Sequence, residues 1–423
     1  MNHRDGDLAA AEQWARSGLA YLTGLPEGPP DFSCAMVLAE AQRRLDEFWK
    51  LMRSVNSTRD GWRVEIDCRG FDRADVLLSG RAGLLGWKRR GQISAGGGTH
   101  LIQAFDEWFA LTLARPDDIA AVPALLLSDE NADQPAAMWE AVERAARSAS
   151  ASYWVERARL LGIPSAVLGE AAANEPLVVH RSEATAEAGY DPLLVVDLAS
   201  MWAGPLATRL LSVAGATVVK VETRSRPDGT RVGDHHFFDW MNSGKLSKVV
   251  DFDRDGDKLR QLLSVADVVV EGSRPAALRR RGLDAKSVSP RPGQVWVRLT
   301  AHGVHGPPAE WVGFGDDAAV AGGLVAGTRE QPVFCGDAIA DPLTGIETAA
   351  AIARAIAIGR ACTIDISLAA TAARYARFAV AEIADRSLPA VRAPVGPAIV
   401  GSGPRLGVDD SFVDDIVRKR IRG

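Results

Sequence analysis

LLVVDLASMWAGPLATRLLSVAGATVVKVE, residues 193–222, is the stretch on which the fold reading turns. LLVVDL (193–198) is a short apolar run rich in β-branched residues and reads as a buried strand. PLATRLLSVAG carries apolar residues at helical spacing, and ATVVKVE (216–222) returns to strand texture. The unit is therefore strand, turn, helix, strand. The same alternation continues through KVVDFD (248–253), DVVVEG (267–272) and QVWVRLT (295–300), with DGDKLRQLLSVA and PAALRRRGL between them. Strands that are apolar throughout and separated by amphipathic helices predict a mainly parallel sheet covered on both faces. With right-handed crossovers the sheet is Rossmann-like.

Working outward, two helices near 315–327 and 343–358 lead to the strand CTIDISL and the helix AATAARYARFAVAEIA. Toward the N-terminus, LAAAEQWARSGLAYLTG and FSCAMVLAEAQRRLDEFWKLM read as helices. WRVEIDC and EWFALTLA read as strands flanking the loop SAGGGTH (94–100), and AAMWEAVERAARSASASYWVERARLLG reads as one helix. A polar Ala/Glu-rich stretch near 169–190 is the best linker. The expected organisation is an N-terminal helical segment (1–60), a smaller mixed α+β region with a glycine loop (61–185), the Rossmann-like α/β domain (190–385) and a weakly patterned tail (386–423).

The 423 residues carry a formal net charge of -5, which argues against a general nucleic-acid binder. The four cysteines are scattered without a CxxC pair, so neither a disulfide framework nor a zinc site is expected, and no metal site is assigned. MNHRDGDLAAAEQWARSG lacks the apolar core of a signal peptide, and no run is long and apolar enough for a membrane span. A cytoplasmic protein with no membrane partner is expected. The first turn, DLASMWAGP, has one glycine where a dinucleotide fold has GxGxxG, and no GxxxxGK[ST] occurs.

The details of the sheet region resemble another family. The AGP turn, GA pair and VxKVE strand end of 197–222, MNSGKLSKVVDFD, ADVVVEGSRPAALRRRGL, LTAHGVHGPP, CGDAIADPLTGIETAAAIARAI and RACTIDISL are similar, in order and spacing over about 193–370, to the class III CoA-transferases. AGGGTHLIQAFDEWFALTLARPDD and YWVERARLLGIPSAVLGE resemble that family's small domain, which normally follows the sheet, so the chain reads as rearranged or circularly permuted. The resemblance implies CoA transfer between an acyl-CoA and a carboxylic acid, with coenzyme A as substrate, no tightly bound cofactor, and an interlocked homodimer. Alternatives are an α-methylacyl-CoA racemase and a non-catalytic CoA-binding partner subunit.

Carried over position by position, the resemblance implies CoA contacts at Trp202, Ala203, Arg224, Asn242, Lys245 and Arg280, and a glycine loop at Gly96, Gly97 and Gly98; three consecutive glycines suit either a lid that shields a reactive intermediate or a plain hairpin loop. Guanidinium groups suit phosphates through bidentate, charge-assisted bonds. Gly272 and Ser273 depart from the family's Asn-Phe pair. Asp341, in Asp-Pro-Leu-Thr-Gly, falls on the catalytic aspartate of the D-x-x-T-G motif. Its position opening a helix also suits a plain N-cap. Asp337 is the nearest rival carboxylate. Phe314 stands where the racemases carry a histidine, and phenylalanine moves no proton.

Overall fold

The computed structural model describes residues 3–57, 68–128, 135–185, 192–379 and 390–422. Three strands, β1 (Thr99–Gln103), β2 (Trp108–Thr112) and β3 (Ser165–Val167), form a small antiparallel sheet. A seven-stranded sheet is built from β4 (Leu177–Thr185), β5 (Leu194–Leu198), β6 (Thr217–Glu222), β7 (Leu246–Val249), β8 (Val268–Glu271), β9 (Val295–Thr300) and, beyond a small hairpin of β10 (Val325–Gly327) and β11 (Pro332–Phe334), β12 (Arg360–Ser367). Its order is β4-β12-β9-β8-β5-β6-β7. Every pairing is parallel except that of the edge strand β4 with β12. The mixed α/β fold with a large, mostly parallel sheet is thus the one expected.

Both faces of the sheet are buried, which explains why its strands are apolar without alternation. Within β5, Val195 faces one core while Leu194 and Val196 face the other. The first core is closed by the helices Ala203–Val213 and Ala340–Ile358 and by the N-terminal helix Ala35–Ser57. The second is closed by Gly256–Val265 and by the helix Asp410–Arg422, whose Val413 and Val417 are buried.

Several local readings shift. The stretch read as a linker supplies β4. The long helix expected over 136–162 is two, Pro135–Ala146 and Ala151–Leu160, because the serine run favours capping over continuation: Ser150 accepts from Tyr153 N at 3.2 Å. The helix expected to reach 327 ends at Ala321, where Gly322 and a left-handed Gly323 follow and β10 begins. The tail 386–423 carries the helix Asp410–Arg422. The strand expected at WRVEIDC lies, but for Cys68, outside the described residues.

The strand order sets the location of the site. From β5 the chain winds outward through β6 and β7, and from β8 it winds the other way through β9 to β12. Such a sheet opens a crevice at the carboxyl ends of the strands where the winding reverses. Here that is the end of β5, which carries the turn into Ala203–Val213, and the end of β8, which carries Gly272. Close packing holds this place together. A Cβ on Gly204 would lie 2.2 Å from Ala199 Cβ, and one on Gly272 would lie 3.0 Å from it.

Candidate active site

Asp341 meets the switch point. It lies in the first turn of Ala340–Ile358, but its carboxylate does not cap that helix. Its Oδ2 accepts a 3.1 Å bond from Gly315 N, at the start of the helix Gly315–Ala321, and the backbone N–H of Ala203, at the turn after β5, lies near enough to the carboxylate to favour its charged form. The approach is tight enough to require glycine at 315, where a Cβ would lie 2.5 Å from Asp341 Oδ2. Burial pushes Asp341 up to about 6, while Arg81 and the two backbone N–H groups pull it down. The residue keeps partial solvent access. Two non-glycine residues in left-handed backbone, Met201 (φ 73°) and Ala338 (φ 41°), lie on the two turns that converge here. Asp228 holds the first, accepting from Met201 N at 3.2 Å.

Arg81 is the second element of the site, and the sequence reading did not single it out. Its guanidinium binds Asp337 bidentately, at 2.8 and 2.5 Å. It lies 4.3 Å from the centroid of the Trp202 ring, 5.3 Å from that of Trp87 and 5.5 Å from that of Phe237. Asp337 is therefore committed to this ion pair. Asp316 completes a group of three carboxylates around one guanidinium. It accepts from Ala338 N at 2.9 Å, and burial together with Asp337 pushes it up to about 7 against the pull of Arg81. The signal for Arg81 was present: a lone arginine inside the apolar helix ADVLLSGRAGLL, where a charge needs a partner.

Of the residues carried over by resemblance, Ala203 touches Asp341, and Trp202 stacks on Arg81. The glycine loop comes within one side chain of the site, since a Cβ on Gly96 would lie 3.0 Å from Trp87. Gly97 is left-handed (φ 80°), and its N–H closes the turn onto Ser94 O at 2.8 Å, while Gly98 O accepts from Leu113 N. Lys245 and Asn242 point inward. Lys245 Nζ donates to Asp197 Oδ2 (2.9 Å), Pro205 O (3.0 Å), Thr208 Oγ1 (2.9 Å) and Asn242 Oδ1 (3.0 Å) and is fully buried, so these two residues brace the first turn from behind. Arg224 and Arg280 are exposed beyond the ends of β6 and of the helix Pro275–Arg279. Neither has a contact with the Asp341 group among the described residues. The Asp234, His235 and His236 side chains form an exposed group of metal-ligand type, but Asp234 is spent as an N-cap, accepting from His236 N at 2.8 Å.

A family model described as CoA-transferase family III matches residues 190–402, from just before β5 past the Asp341 helix. The chain belongs to CoA-transferase family III. Among curated relatives, succinate–glutarate CoA-transferase of Agrobacterium fabrum is 33% identical over 181 residues, 38% of this chain and 45% of that one. Human succinyl-CoA:glutarate CoA-transferase is 32% identical over 171 residues, covering 37% and 39%. A CAIB/BAIF family protein from Brucella suis, of known crystal structure, is 32% identical over 44% of this chain and 54% of that one, with a TM-score of 0.41. The matches span less than half the length of these curated family members. No helix among the described residues is long and apolar enough to cross a membrane.

Proposed function

We propose that the protein moves CoA between an acyl-CoA thioester and a carboxylic acid, with Asp341 forming the covalent intermediates. The observation that carries this reading is the carboxylate of the half-buried Asp341 at the switch point, held by the Gly315 backbone N–H, with the Ala203 N–H of a separate element nearby, and excluded from capping its own helix. An Asp341 oxygen attacks the thioester carbonyl, a C–O bond forms, and the C–S bond breaks to release CoA thiolate and leave a mixed anhydride. The thiolate attacks the Asp341 carbonyl and expels the donor acid as carboxylate, giving an aspartyl-CoA thioester. The acceptor carboxylate then attacks that carbonyl, and the thiolate returns to the new anhydride, freeing acyl-CoA and Asp341. The cycle consumes no proton. The N–H groups of Gly315 and Ala203 suit the oxyanion that develops at the Asp341 carbonyl in these steps.

Exposed Arg224 and Arg280 are suited to the CoA phosphates, and the loop at Gly96, Gly97 and Gly98 is suited to shielding the anhydride from water. Phe314 supports transfer over racemisation, because it supplies no acid or base. The small sheet β1–β3 preceding the large one fits a permuted order of the family's two parts. A cytoplasmic homodimer accords with this reading, and light scattering at micromolar protein tests the assembly. The decisive activity test is Asp341→Asn and Asp341→Ala with CoA binding measured in parallel. Turnover is lost in both while CoA still binds; wild-type turnover in the alanine variant overturns the assignment.

A further inference from the structure

A cavity of about 240 Å³ lies away from the Asp341 group. Arg69, Phe71, Arg209, Trp240 and Ser243 line it, with exposed Val400 at its rim. Arg209 projects from the helix Ala203–Val213, six residues beyond Ala203 and so about 9 Å further along the axis. Between the cavity and the site stands a wall of rings. Phe71 packs on Trp240 (centroids 6.2 Å apart), Trp240 on Phe237 (6.2 Å) and Phe237 on Trp202 (5.4 Å).

The chemistry of this cavity is incomplete. Arg209 donates through Nη1 to Ser243 O, but its Nε is buried with no acceptor, and no carboxylate among the described residues pairs with it. Burial, with Arg69 nearby, pulls the guanidinium down to about 10, so it stays charged at neutral pH. A partly buried guanidinium with no carboxylate partner among the described residues, and a buried Nε–H without an acceptor, both cost free energy that a bound anion recovers. The ring of Phe71 lies 5.1 Å from Arg209 Cζ, and the buried Trp240 adds a second flat apolar wall. Left-handed Gly244 keeps the space open, since a Cβ there would lie 3.2 Å from Arg209 Nη1.

We propose that this cavity is a second binding site, taking a small organic anion whose carboxylate or phosphate group meets Arg209 and whose flat apolar body lies against Phe71 and Trp240. The site is independent of the CoA chemistry proposed for Asp341. Isothermal titration calorimetry of the full chain with sodium benzoate, and separately with inorganic phosphate, at about 10 mM covers the weak range of small-anion affinity. One equivalent binds, and saturating CoA does not displace it. Tighter benzoate assigns a carboxylate ligand, and tighter phosphate a phosphate ester. Arg209→Gln weakens binding by roughly tenfold or more, Arg209→Lys restores part of it, and near-UV circular dichroism verifies the fold of each. Turnover is unchanged in both variants. The proposal is overturned if neither anion binds to the wild type, if folded Arg209→Gln binds as the wild type does, or if CoA competes.

Discussion

Replacing Arg81 by methionine removes the one cation among three carboxylates while keeping most of the side-chain volume. The ion pair it breaks is buried, with side-chain exposures of 16% for Arg81 and 1% for Asp337. Breaking such a pair from one side costs about 3–5 kcal/mol, because the remaining charge keeps its desolvation penalty. The loss depends on pH, and its sign follows from Asp341 and Asp316. Both already titrate in the fold at about 6 and about 7, above the ordinary 3.8, and Arg81 pulls each of them down. Without it they titrate higher still. The folded state then holds protons that the unfolded chain has released, so stability falls as pH rises from about 4 through the folded values. Urea unfolding of Arg81→Met should therefore show a larger deficit at pH 8 than at pH 5. The same change appears in kinetics. Wild-type kcat/KM should fall with acidity below about pH 6, where Asp341 takes up its proton and ceases to be a nucleophile. In Arg81→Met that limb should move up by about one pH unit or more. A stability loss below about 1 kcal/mol, together with an unmoved limb, would refute the view that Arg81 sets the charge state of the site.

Lys245→Met should cost about 1.5–3 kcal/mol, read as a fall in melting temperature, because it removes a charged donor from the fully buried Asp197 carboxylate, which keeps Thr208 Oγ1, Ala199 N and the nearby Lys220; a change within experimental error would remove Lys245 from the bracing role. Gly97→Ala forces a Cβ into left-handed backbone 2.5 Å from Arg90 Nη1 and should cost about 1 kcal/mol. It should also raise thioester hydrolysis relative to transfer, and an unchanged ratio of the two products would sink the shielding role of the loop.

The parallel sheet could be read from the sequence because burial on both faces leaves a local mark. A strand such as 193–198 has no polar face to maintain, and the helix after it must show an apolar stripe. The D-x-x-T-G carboxylate was visible for a different reason, since a short motif keeps its spacing on one turn and one helix. What escaped was set by distance along the chain. Arg81 meets Asp337 across 256 residues, and no local pattern announces that pairing. Gly315 meets Asp341 through its backbone N–H, a group that nearly every residue type carries, so only the fold reveals it. The edge strand β4 was read as a linker because one side of it lacks a neighbour. Leu177, Val178 and Val179 are exposed, and the strand's partner lies in β12, far along the chain. Lys245 matched its motif, yet a motif does not say whether an ammonium faces a ligand or the interior.

The central claim is that Asp341 carries the acyl group and then CoA. Incubation of the protein with an acyl-CoA followed by hydroxylamine converts an activated aspartyl group to its hydroxamate, and peptide mass spectrometry locates it. Modification is expected at Asp341, dependent on acyl-CoA and absent without it. Modification at Asp337 or Asp316 instead, or an unmodified Asp341 peptide during active turnover, would contradict it.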